Sequence, residues 1–136
     1  MYTSCTGIWQ TVWLEPVPPV SIQEIKLVPD IDRNRLKVTG WVSQPAANLT
    51  VQAAAYDQGD LVGTVSGAAG QELHLRMHNP KLWSPKTPFL YDLTIVLKQG
   101  DTVIDQVDSY FGMRKMSVGT VDGVLKMLLN NEFVFQ

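Results

Sequence analysis

His74 and His78 have the spacing that most directly suggests chemistry, because two histidines four apart on one helical face can share a zinc ion. Their neighbours argue for a strand instead. Leu73, Leu75 and Met77 alternate with Glu72, His74, Arg76 and His78, the period of two of a half-buried strand. At about 3.3 Å per residue the two rings stand about 13 Å apart, beyond one ion with bonds of about 2 Å. Both are expected on a solvated face, with no metal and no cofactor. Asp105 and Asp108, three positions apart on another alternating stretch, face opposite ways and are expected to be solvating charges rather than a carboxylate pair. Cys5, the single cysteine, has no neighbouring His or Lys to favour its thiolate and is expected to be a free thiol. No Ser-His-Asp order and no Gly-rich phosphate loop stands out.

Trp9, Trp13, Trp41 and Trp83 are the other candidates, since flat aromatic rings can stack on sugars. Aromatic side chains also bury large areas and dominate interfaces, and that role is expected for Trp9, Trp13 and Trp83. Trp41 is kept as a possible exposed sugar contact.

The elements that must position these residues are strands. Between Asn79 and Lys98, three prolines stiffen the first half and deny donors to a ladder. The second half alternates Phe89, Tyr91, Leu93, Ile95 and Leu97 against Leu90, Asp92, Thr94, Val96 and Lys98, a central strand with one side on a core. Tyr91, two residues before inward-facing Leu93, is placed for a tyrosine corner, its phenol bonded to a loop backbone. Further strands are expected over Ser21–Val28, Leu36–Val42 with a bulge at Gly40, Leu49–Ala55, a short Leu61–Val65, Glu72–His78 and Val103–Phe111. Asp57-Gln58-Gly59-Asp60 and Gln99-Gly100-Asp101 are turns, and Ser66 to Gly70 is expected to be a loose connection. Counting gives about seven antiparallel strands with turn signals every 8 to 12 residues, the pattern of an all-β, immunoglobulin-like β-sandwich. Gly7 to Glu15 reads as one more strand, and Pro16, Pro18 and Pro19 as a semi-rigid link at a domain boundary. Asp122-Gly123 and Asn130-Asn131 are hairpin turns near the end.

Eleven Lys and Arg against thirteen Asp and Glu give a net charge of -2 with no basic block, so neither nucleic acid nor an anionic membrane surface is an expected partner. No apolar run approaches the ~20 residues of a membrane span, which points to a soluble chain.

Leu82-Trp83-Ser84-Pro85 followed by Pro88-Phe89-Leu90-Tyr91 and Leu93 resembles the LWSPxxPxLYxL segment of the immunoglobulin-like domain of glycoside hydrolase family 2. Gly7 to Leu14 resembles the last strand of that family's sugar-binding jelly roll. Phe111-Gly112-Met113-Arg114 resembles its FGxR strand end, and Leu129 to Phe135 resembles the hairpin leading into its catalytic barrel. The resemblance implies three parts. Residues 1–18 are the end of a sugar-binding domain plus linker, 19–116 the sandwich, and 117–136 a hairpin into a barrel that lies beyond this chain. It implies a retaining β-glycosidase as parent, such as a β-galactosidase, β-glucuronidase or β-mannosidase, with both catalytic carboxylates elsewhere and any signal peptide upstream. The compartment is left open, periplasmic or secreted. Asn131-Glu132 matches the dipeptide such enzymes use for acid/base catalysis, but that pair belongs to a barrel strand end, and a barrel needs on the order of 200 residues or more. Trp9, Trp13, Trp83, Tyr91 and Arg114 are then structural or interdomain residues, with Arg114 forming an ion pair or bonding barrel-entry carbonyls. The partners implied are the sugar-binding domain, the barrel and the parent's carbohydrate. A self-association through the unpaired strand carrying Trp9 and Trp13 is also expected. The alternative from another class is a carbohydrate-binding module using exposed tryptophans.

Overall fold

A computed structural model describes residue 7 and residues 10–134. Ten strands run in chain order: β1 Ile22–Asp30, β2 Arg35–Val42, β3 Leu49–Asp57, β4 Asp60–Ala68, β5 Leu73–Arg76, β6 Tyr91–Gln99, β7 Thr102–Phe111, β8 Met116–Val121, β9 Val124–Leu129 and β10 Glu132–Phe133. Seven of them make the sandwich, as sheets β1-β2-β5 and β4-β3-β6-β7, every pair antiparallel. The expected all-β, immunoglobulin-like sandwich is what the chain adopts, and β6 is the interior strand that its alternation suggests. The last three strands form a separate small sheet, β10-β9-β8.

The core lies where inward positions of the two sheets meet. Leu36, Val38, Leu73 and Leu75 come from one face, and Val51, Ala53, Ala55, Leu93, Ile95 and Leu97 from the other. Burying a side chain of the Leu or Ile class contributes about 1.5–3 kcal/mol, so this double row dominates the stability of the module.

Both open seams of the sandwich are closed by specific residues. On one side, Gly63 and Gly67 let β4 press against β5, since a Cβ at Gly63 would lie 2.7 Å from the Arg76 carbonyl and one at Gly67 would strike Leu73. This explains why β4 runs on to Ala68, through the segment expected to be a loose connection. On the other side, the Ile22 N–H donates to Asp105 Oδ2 at 2.7 Å, joining β1 to β7. Asp105 is therefore a bridge between sheets rather than a solvating charge. Asp108 accepts from the Thr94 hydroxyl at 3.0 Å. Gly40 pairs regularly with Ile25, and the irregularity falls at Ile22/Glu24 instead.

Turn chemistry agrees with the sequence. Gln58-Gly59, Asp122-Gly123 and Asn130-Asn131 all place both central residues at positive φ, the requirement of a tight type I′ hairpin. Residues 11–18 form no strand, and Trp13 stands 71% exposed.

Buried Tyr91 lies between Phe89, edge-on at 4.8 Å, and Phe111, stacked at 5.3 Å, and its hydroxyl oxygen accepts the Lys81 N–H at 2.7 Å. This is tyrosine-corner geometry. Tyr91→Phe keeps the aromatic packing but leaves that N–H unpaired. It is expected to cost about 1–3 kcal/mol, measured as a lowered urea midpoint with an unchanged m-value.

Candidate functional site

Where β7 ends, a group of side chains ties the small third sheet to the sandwich. Trp83 is placed first. Its N–H donates to the Met113 carbonyl at 2.9 Å, and its side chain lies so close to Gly112 that an added Cβ there would come within 3.2 Å of the Trp83 Cβ and 3.3 Å of its ring. The Arg114 guanidinium carbon sits 4.8 Å from the Trp83 ring centroid, a cation–π stack.

Asn130 holds the other side. Its Nδ2 donates to the Trp83 carbonyl at 2.9 Å, its Oδ1 accepts the Lys115 N–H at 3.0 Å, and its own N–H donates to the Lys115 carbonyl at 2.8 Å. Its φ of 53° is the left-handed conformation that asparagine tolerates well. One side chain thus bonds the crossover and the strand leaving the sandwich together.

Asp32 completes the clamp from the 3-10 turn Ile31–Arg33. It accepts from Lys115 Nζ at 2.6 Å and from Asn131 Nδ2 at 3.0 Å. The hydrogen bond from Lys115, then that from Asn131, hold its carboxyl below the ordinary 3.8, against a smaller opposing effect of desolvation. Asp30, beside it, is also held low. Desolvation is the largest influence there and pulls upward, but bonds and charge from Arg35 and Arg33 together outweigh it.

Between this clamp and the hairpin lies an open groove of about 870 Å³, lined in part by Trp83, Lys86, Arg114, Met116, Leu129 and Glu132. Glu132 is exposed and is the single carboxylate among the described residues lining it. A retaining glycosidase site uses two carboxyl groups about 5 Å apart on a rigid scaffold, and the described lining of this groove supplies one.

The structure brings together Trp83, Arg114 and, through Phe111, Tyr91. Trp13 lies apart, and Trp9 and Cys5 fall outside the described residues. Trp41 is 38% exposed on β2. His74 takes a bond from Arg35 Nη1 at Nδ1, 3.0 Å, which leaves Nε2 to donate to Glu72 at 3.0 Å. That bond from His74 is the main influence lowering the Glu72 carboxyl, with desolvation opposing and Lys37 assisting. Asp32, Lys115 and Asn130 were not singled out as partners by the sequence, because Asp32 and Asn131 are 99 positions apart and each looks like an ordinary turn residue.

An immunoglobulin-like sandwich with a hairpin clamped to its exit is the class of module this geometry defines. Residues 20–114 match the family model described as Glycosyl hydrolases family 2, and the chain belongs to that family. It is 34% identical over 117 residues to a putative beta-glucuronidase of Formosa agariphila, covering 79% of this chain and 14% of that protein. It is 31% identical over 147 residues to a beta-galactosidase of Leuconostoc mesenteroides, covering 93% of this chain and 14% of the relative. The chain therefore spans about one seventh of these curated relatives. A solved β-glucuronidase of Ruminococcus gnavus, in complex with an N1-substituted uronic isofagomine, shares the fold with a TM-score of 0.72 at 22% identity, over 87% of this chain and 20% of that one.

Two outcomes test the clamp. Asn130→Gly preserves the backbone conformation but removes two side-chain bonds, and should cost about 1–3 kcal/mol in chemical denaturation. Because Asp32 titrates lower in the folded state than its ordinary 3.8, its contribution is complete above that value and is lost as pH falls through the lowered one. Hydrogen-exchange protection in β8 and β9 should accordingly drop relative to β6 on acidification from about pH 5 to about pH 3, and Asp32→Asn should abolish that differential.

Proposed function

We propose that this chain is the non-catalytic immunoglobulin-like spacer of a β-glycosidase, which fixes the direction in which a sugar-binding domain on one side meets a catalytic barrel on the other. The observation that carries this reading is the clamp of Trp83, Asn130, Lys115 and Asp32, which sets the exit hairpin at a defined angle to the sandwich through side chains drawn from three distant parts of the chain. A module that only tethered its neighbours would need no such lock. Family membership supports a glycoside hydrolase as the parent, and the names of the curated relatives favour a β-glucuronidase or β-galactosidase. Residues 1–18 then belong to the sugar-binding side, 19–116 to the spacer and 117–136 to the barrel entry. Trp9 and Trp13 serve as interface residues toward the first neighbour, and Trp83 and Arg114 toward the second.

The reading is tested by activity and binding on the chain itself. Chromogenic β-glucuronides and β-galactosides should turn over no faster with the chain than in buffer; turnover abolished by Glu132→Gln would make it a hydrolase in its own right. Titration with β-linked oligosaccharides should leave tryptophan fluorescence unchanged. Saturable binding lost in Trp41→Ala would instead establish a carbohydrate-binding module.

A further inference from the structure

The chain enters the sandwich through a second joint, at the far end from the clamp. Between described residues no hydrogen bond reaches positions 11–18, so the direction of that segment rests on its own stiffness and on its base. Pro16, Pro18 and Pro19 each have φ fixed by their rings, and Glu15, Val17 and Pro18 precede a proline and are thereby biased to extended backbone. Residues 16–19 span about 12 Å at the ~3.1 Å rise of a polyproline segment. The base is Ser43. Its hydroxyl donates to the Pro19 carbonyl at 3.2 Å and accepts the Ser21 N–H at 3.1 Å, while its own N–H donates to the Ser21 carbonyl at 2.9 Å. The one hydroxyl proton of Ser43 is thus committed to the last proline, and the Ser21 hydroxyl, on a residue 5% exposed, lies 3.4 Å away as a further donor. Val20, between them, packs on the core.

The two edge strands beside this base both change register where they are tied together. β1 steps out of its ladder between Ile22 and Glu24, and β7 between Val103 and Asp105. A bulge re-aims the groups beside it. Here the Ile22 N–H donates away from β2 to Asp105 Oδ2, and the other oxygen of that carboxylate accepts the Gln106 N–H at 2.9 Å. From this tie β1 and β7 run side by side in the same direction, since Pro29 near the end of one and Gly112 just past the end of the other line one cavity. Asp32 of the clamp follows β1 by two residues, and Gly112, packed on Trp83, follows β7 by one. The two joints therefore stand at opposite ends of the same pair of strands, about 26 Å apart for the nine residues of β1 at about 3.3 Å per step. We infer that Ser43 and Asp105 form an entry lock, which turns residues 16–19 into a directed arm and ties its angle to that of the exit hairpin through β1 and β7. Both are positioning residues. Asp105 fixes the start of β1 against β7, and Ser43 fixes the last proline against the start of β1. A stiff segment on a loose base has no set direction; held at Pro19, the same segment has one. What the arm carries rests on the spacer reading above, but the lock itself does not.

Amide order parameters from nitrogen relaxation of the full chain test the lock. Val17 and Val20 should read about 0.8, close to the ~0.85 of rigid backbone, and Val17 should fall below about 0.6 in Ser43→Ala. Ser43→Thr, which keeps the hydroxyl, should restore the wild-type value. In Asp105→Ala the Ile22 amide should exchange with solvent about tenfold faster or more. Lys115 and the amides of β6 should keep their order in Ser43→Ala, which separates a freed arm from an unfolded sandwich. A Val17 value below about 0.6 in the wild-type chain overturns the inference and needs no variant. An arm as ordered in Ser43→Ala as in the wild type overturns it equally. Turnover of a β-glycoside or saturable sugar binding by the chain would instead undo the spacer reading and leave the order of the arm untouched, so the two fail separately.

Discussion

The structure depends on how the segment between β5 and β6 crosses the open end of the sandwich. Pro80, Pro85 and Pro88 cannot donate to a ladder, so the crossover forms no continuous strand pairing, only an isolated parallel bridge of Leu82 to Met113. It is held instead at two backbone points two residues apart: the Lys81 N–H on the Tyr91 hydroxyl and the Trp83 N–H on the Met113 carbonyl. The first point belongs to the core, because Tyr91 is buried beside Leu93 and Phe111. The second belongs to the exit, because Met113 lies between the end of β7 and the start of β8. The crossover therefore couples core packing to the direction of the hairpin, and each further feature of the joint is built on Trp83 being where these two bonds put it.

That coupling also explains why glycine stands at position 112. The sandwich ends there in a strand whose next face is occupied by the Trp83 ring, and any Cβ would press on an indole that cannot retreat, being fixed through its own backbone on both sides. The space denied to a side chain at 112 is what allows the Arg114 guanidinium to lie flat on the ring. Stacking directs its donors sideways into the groove rather than back into the protein.

Much of this was legible in the sequence, and the part that was not has a physical cause. Period-two alternation identified β6, β2 and β5, since each has one face on a core and the other in water. Asn and Gly pairs identified the hairpins, because positive φ at two successive residues leaves few other choices. The extent of β4 was not legible. Ser66, Gly67 and Ala68 look like a loop, but Gly67 is small because β5 comes so close. Asp105 was misjudged for a similar reason: alternation assigns a side chain to a face, but says nothing of a neighbouring sheet's first N–H reaching over the edge. Apart from Trp83, the clamp was invisible because Asp32, Asn130 and Asn131 lie in turns, which carry their own local explanation.

The clamp is better understood as a source of direction than of stability. The Lys115–Asp32 pair is partly exposed, and solvent screening leaves a pair of that kind little weight in stability. Against a core of buried Leu, Ile and Val side chains worth about 1.5–3 kcal/mol each, it cannot decide whether the sandwich folds. What it can decide is which way the hairpin points. The hairpin leaves the sandwich along one strand, and a lone extended strand can swivel about its dihedrals at little cost. The bond from Asn130 to the Trp83 carbonyl and from the Lys115 N–H to Asn130, with those from Asn131 and Lys115 to Asp32, remove that freedom from two sides at once. Several weak bonds of fixed geometry, each useless for holding the core together, are together what a module needs if its neighbours must meet at one angle.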